Sequence, residues 1–72
     1  MLVLDANILI RAVLGKRVMQ LLVRYGAAVQ LFAPEYAFEE AREHLPAILT
    51  RRGVPVSEGL AVLDSLAGSY SQ

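Results

Sequence analysis

Asp5 and Asn7 stand two residues apart, directly after the short apolar run Leu2-Val3-Leu4. A carboxylate at the point where a buried strand turns into a helix has two uses. It caps the helix by accepting a backbone N–H, which contributes about 1 kcal/mol. It also occupies the carboxyl end of a strand, where α/β proteins bind their ligands. The uses are compatible, although a fully committed cap has fewer lone pairs left for a metal. Asn7 falls in the first helical turn. It is either a solvated helix residue or a partner whose amide hydrogen-bonds to Asp5 or to a metal-bound water, fixing the carboxylate's rotamer. His44, the only histidine, follows Glu40 by one turn, a spacing that suits a metal on one helix face. With no second histidine, a place on a helix surface near Pro46 explains it as well.

These side chains need elements to position them. The Asp5-Ala6-Asn7 junction makes Leu2-Val3-Leu4 a strand, since Asp or Asn there caps the helix that follows. That helix is expected from about Ala6 to Leu14, apolar nearly all round, with Gly15 as its left-handed stop. A second helix opens at Lys16 and Arg17, buries Val18, Leu21, Leu22 and Tyr25 at helical spacing, and ends at Gly26. Ala27 to Ala33 reads as a second strand centred on Val29-Gln30-Leu31-Phe32. Pro34 suits the first turn of a third helix and Glu35 its positive end. This helix continues to about Arg52, stops at Gly53, and carries Pro46 inside it as an expected kink or break. On its wheel Phe38, Ala41, Leu45 and Leu49 share the buried face. Val54-Pro55-Val56 reads as a linker. Ser57 is the expected cap of a fourth helix with Leu60, Leu63 and Leu66 on one side. Residues 69–72 form a loose tail. Strands joined by long helical crossovers pair in parallel, so the expected fold is α/β with a βααβαα order, a single domain over residues 1–72. Asp5 and the Ala33-Pro34 region lie at the carboxyl end of that sheet.

Composition narrows the function classes. Seven basic and seven acidic residues cancel, so net charge argues neither for nor against a polyanionic partner. There is no cysteine, which removes disulfides and thiolate metal sites. The opening Met1-Leu2-Val3-Leu4-Asp5 lacks the charged leader and length of a signal peptide. No apolar run approaches the roughly 20 residues of a membrane span. The expectation is a soluble cytoplasmic protein with no membrane partner.

Two stretches together carry a family resemblance. Val3-Leu4-Asp5-Ala6-Asn7-Ile8-Leu9-Ile10 resembles the opening of PIN-domain nucleases. Phe32-Ala33-Pro34-Glu35-Tyr36-Ala37-Phe38-Glu39-Glu40 resembles that family's second strand and the acidic helix after it, and Glu40-Ala41-Arg42-Glu43-His44-Leu45 suits the same helix. The resemblance implies an α/β sandwich around a parallel sheet and a ribonuclease that cuts single-stranded RNA with Mg²⁺ or Mn²⁺. It also implies the toxin half of a toxin–antitoxin pair, with an antitoxin protein as partner. By position, Asp5 would be the first metal carboxylate, Asn7 its supporting residue and Glu40 the second carboxylate, with Glu39 as the substitute if the helix start is rotated. Without the family, Glu40 reads as part of a solvated acidic face with Glu39, Arg42 and Glu43. Lys16, Arg17, Arg51 and Arg52 are available for RNA phosphates, and ordinary solvation at helix ends also accounts for them.

The resemblance covers the N-terminal portion of the family's domain. The third carboxylate, and often a fourth, belong to a later half. Asp64, within the expected fourth helix, does not stand at a strand end and inherits no catalytic role. Meanwhile 56% of the residues are apolar and 19% charged, while a chain of this size buries only about 60% of its unfolded surface. The first strand would be left as an edge and apolar helix faces would lack cover, which invites pairing with another chain. The expectation is therefore a truncated or cleaved PIN domain, or half of an assembly completed in trans as a homo-oligomer. The competing expectation is an inactive PIN-like interaction module that binds itself or a partner protein.

Overall fold

A computed structural model describes residues 2–70. The elements run β1 (Leu2–Val3), α1 (Ala6–Leu14), α2 (Lys16–Ala28), β2 (Leu31–Phe32), α3 (Glu35–Arg51) and α4 (Val56–Tyr70). The fold is α/β, with helix predominating. β1 and β2 pair in parallel, Leu2 opposite Leu31 and Val3 opposite Phe32. Leu2 N–H donates to the Gln30 carbonyl at 2.9 Å and Leu4 N–H to the Phe32 carbonyl at 2.8 Å. Both strands therefore end on the same edge, and each leads into a helix there: β1 through Asp5 into α1, β2 through Pro34 into α3.

α1 is the centre of the packing, lying against α2, α3 and α4. Its sequence requires this, because Ile8, Leu9, Ile10, Val13 and Leu14 leave almost no polar face. Leu9 and Ala12 are buried, as are Ala37, Phe38, Ala41, Leu45 and Leu49 of α3 and Leu63 and Leu66 of α4. The buried stripe of α3 is the one its helical spacing predicts. Pro46 does not break α3, which runs unbroken past it. An interior proline costs about 3 kcal/mol, and burying Leu45 and Leu49 on either side offsets it at about 1.5–3 kcal/mol each.

Several expected boundaries are corrected. Gly15 is extended (φ −134°, ψ 131°), not left-handed; its N–H closes α1 on the Arg11 carbonyl and its own carbonyl opens α2. α2 passes through Gly26 and ends at Ala28, with Val29 N–H bonded to Tyr25 O at 2.7 Å. One helical glycine costs about 1 kcal/mol, and Ala27 and Ala28 are good helix formers. The second strand is correspondingly shorter than Ala27 to Ala33. Pro34 sits just before α3 as its cap residue. Ser57 does not cap α4; it lies within the first turn, because Pro55 supplies the carbonyl that Gly59 N–H reaches. α4 continues to Tyr70, through the first half of the expected loose tail, while Ser71 and Gln72 lie outside the described residues.

The face expected to be buried on α2 is half open. Leu22 is buried and Val18 packs partly buried against the core, but Leu21 is exposed and Tyr25 is 53% exposed, because α2 packs chiefly on α1. β1 is open too, with Leu2 at 53% and Val3 at 60% exposure.

Gly59 sets α4 against α3, for a Cβ there would meet Leu49 Cδ2 at 2.8 Å and Cδ1 closer still. Leu49 is buried, so an added methyl group must displace it. Gly53, at φ +71°, turns the chain between these helices. An Arg42–Asp64 ion pair also joins them; both groups are well exposed, so it contributes about 0–1 kcal/mol.

The two glycines of α4 should respond oppositely to alanine. Gly59→Ala overpacks the Leu49 contact and should destabilise by about 1–3 kcal/mol. Gly68 has open space around its Cβ position, so Gly68→Ala should stabilise by about 0.4–1 kcal/mol. Urea midpoints of the two variants check this; midpoints moving in the same direction would contradict the packing described.

Candidate functional site

Asp5 takes an extended backbone (φ −94°, ψ 174°) between β1 and α1 and caps the helix: Oδ1 accepts the Ile8 N–H at 2.9 Å. The bond uses one oxygen. Oδ2 has no partner among the described residues, and the side chain is exposed. The cap and an outward-facing oxygen therefore coexist.

Asn7 follows in the first turn of α1, between buried Ala6 and half-buried Ile8. Its amide makes no hydrogen bond to Asp5; it lines a cleft instead. That open cleft, about 390 Å³, runs between α1 and α3 and is lined by Ala6, Asn7 and Ile10 from one helix and Glu40, His44, Ala47, Ile48 and Arg51 from the other. The two helices pack on each other, and Ala6 and Ala12 of α1 and Ala37 and Ala41 of α3 are all buried. Glu40 is the residue before Ala41, and Asn7 the residue after Ala6. Each is thereby set at the rim of the contact.

Glu40 thus faces α1 across the cleft, where the bare helical wheel turns it toward Tyr36 and Glu43. Glu39 is exposed and does not line the cleft. His44 and Arg51 do line it, which the sequence left open. The pattern that would have found them is the spacing 40, 44, 47, 48 and 51, one face of a 3.6-residue helix. The side chains of Asn7, Glu40, His44 and Arg51 make no hydrogen bond or ion pair with other described residues. Asp64 is held by Arg42.

Asp5, Asn7 and Glu40 offer oxygen donors, the ligands that Mg²⁺ takes. In number they fall short. Among the described residues no group of three or more His, Cys, Asp or Glu side chains gathers to hold a metal. The donor set fits a hard divalent cation in kind and is incomplete as a cage.

The family model for the PIN domain matches residues 3–71. Comparison with curated proteins and with solved structures gives no match. Among the described residues no helix is long and apolar enough to cross a membrane.

The two uses of Asp5 can be separated. Asn caps a helix about as well as Asp, whereas Ala does not. Asp5→Ala should cost about 1 kcal/mol and lower Tm by about 4–8 °C in a chain of this size. Asp5→Asn should leave Tm near that of the unsubstituted chain. Thermal unfolding followed by circular dichroism measures both, and an equal loss in the two variants would contradict the capping geometry.

Proposed function

The chain belongs to the PIN domain family, and from that premise we propose that it contributes Asp5, Asn7 and Glu40 to a Mg²⁺- or Mn²⁺-dependent site that cleaves single-stranded RNA. The supporting observation is the α1–α3 cleft, which has Asn7 and Glu40 on facing walls, two residues along the chain from the Asp5 cap. Oδ1 of Asp5 is tied to the helix, which holds the carboxylate in one rotamer and leaves Oδ2 toward solvent. Asn7 presents an amide that orients a water or a phosphate oxygen. Glu40 adds a second negative oxygen pair from the other wall. The chemistry a divalent cation supplies in such a site is a hydroxide nucleophile and neutralisation of charge on the phosphate.

Two carboxylates and an amide are too few to hold that cation tightly. The proposed site is accordingly one to which further carboxylates are added, from additional polypeptide or from a second copy of this chain. The exposed apolar side chains of β1 and α2, among them Leu2, Val3, Leu21, Val23 and Tyr25, support the second half of this reading. They are the surface through which the unit would self-associate or bind a partner protein, such as the antitoxin of a cytoplasmic toxin–antitoxin pair. Should the catalytic part fail, this same surface supports the alternative reading, an inactive PIN-like module that works by association.

Cleavage of a labelled single-stranded RNA, with Mg²⁺ and with EDTA, tests the proposal. Metal-dependent cleavage is expected, abolished by Asp5→Asn and by Glu40→Gln and reduced about 10- to 100-fold by Asn7→Ala. Cleavage unchanged in Asp5→Asn would sink the catalytic reading. Absence of metal-dependent cleavage by the unsubstituted chain, together with a dimer or larger species in light scattering, would favour the interaction module.

A further inference from the structure

Arg51 and Arg52 are adjacent in sequence and identical in charge, but they belong to different surfaces. Arg51 closes one end of the α1–α3 cleft. Arg52 lines a separate, mainly apolar cavity with Val13, Leu14 and Val54. The cleft between Glu40 and Arg51 is graded. Its first wall residues are the carboxylate of Glu40 and the amide of Asn7; His44 stands one turn further on; Ile10, Ala47 and Ile48 form an apolar stretch; Arg51 ends it. From Glu40 to Arg51 the helix rises about 16 Å, room for more than one nucleotide.

We propose that Arg51, with His44 between it and Glu40, anchors the phosphate backbone of single-stranded RNA along this cleft. The inference rests on the nuclease reading above and adds to it the path of the substrate. Arg51 is suited to the role on two grounds. Its guanidinium has no ion-pair partner among the described residues, unlike Arg42, which Asp64 holds. A planar guanidinium also donates two parallel hydrogen bonds to a phosphate. The apolar stretch offers the sugar and base a surface out of water, and His44 offers a ring nitrogen to a phosphate or ribose oxygen midway. The carboxylate at the far end repels a phosphate, so a strand anchored at Arg51 approaches Glu40 only where a cation is present. The cleft thus orients the strand before any metal joins it.

The test separates this anchor from the metal site by leaving metal out. Fluorescence anisotropy of a fluorescein-labelled oligouridylate is followed in EDTA over a range of salt concentrations. Arg51→Ala should weaken binding about tenfold and lower the salt slope by about 0.7, the value for one phosphate contact on a single strand. Arg51→Lys, which keeps the charge and loses the fork, should recover part of the affinity and the whole slope. His44→Ala should weaken binding less than Arg51→Ala does. Arg52→Ala should bind as the unsubstituted chain does. Equal losses in Arg51→Ala and Arg52→Ala would overturn the anchor in favour of diffuse charge, and no measurable binding by the unsubstituted chain in EDTA would overturn it outright. Loss of cleavage in Asp5→Asn bears on the metal reading alone, so the two can fail separately.

Discussion

The packing of α1 on α3 is the contact on which the rest depends. α1 is too apolar to face water, and α3 covers part of it with a helix whose own apolar stripe is buried. An interior packed at crystal-like density has little slack for an added methyl group. The contact therefore fixes the relative position of the two helices, and with it the cleft whose walls carry Asn7 and Glu40. β1 and β2 add direction to this. Because they run in parallel, α1 and α3 both begin at the same edge of the sheet, and the polar residues of their first two turns are brought to one side of the molecule.

Much of this was legible in the residues. The apolar α1, the Asp5 cap and the stripe Phe38, Ala41, Leu45 and Leu49 follow from periodicity and from the chemistry of helix ends. What periodicity cannot convey is which neighbour a face meets. Leu21 and Tyr25 of α2 have the spacing of a buried face yet are exposed, because α2 packs chiefly on α1. Glycines differ in what they decide. Gly15 ends α1 as its sequence position suggests, though in an extended conformation, while α2 runs on through Gly26. Among the described residues Gly53 alone takes the left-handed conformation for which glycine is needed. Family resemblance names Glu40 as a candidate, and the structure shows that it lines the cleft. His44 and Arg51 are candidates from the sequence as well, but a helical wheel does not say what stands opposite, so their shared cleft was not legible.

Membership of the PIN domain family and the incomplete carboxylate set are consistent with one physical picture. Asp5, Asn7 and Glu40 are exposed oxygen donors, and Leu2, Val3, Leu21, Val23 and Tyr25 are exposed apolar side chains. Exposed Leu2 and Val3 present a strand with free backbone groups, next in sequence to the Asp5 carboxylate whose Oδ2 has no partner. Under the proposed function, a strand added beside β1 would also be placed to bring carboxylates beside Asp5.

Mn²⁺ titration followed in ¹H–¹⁵N spectra tests whether Asp5, Asn7 and Glu40 lie together at one edge that takes a divalent cation. Paramagnetic broadening reports proximity whatever the affinity and whether or not the chain is active. The amides of residues 5–8 and of residues 39–41 should broaden together at the lowest Mn²⁺ additions. Broadening confined to one of these segments, or centred on Glu58 or Asp64, would contradict that placement.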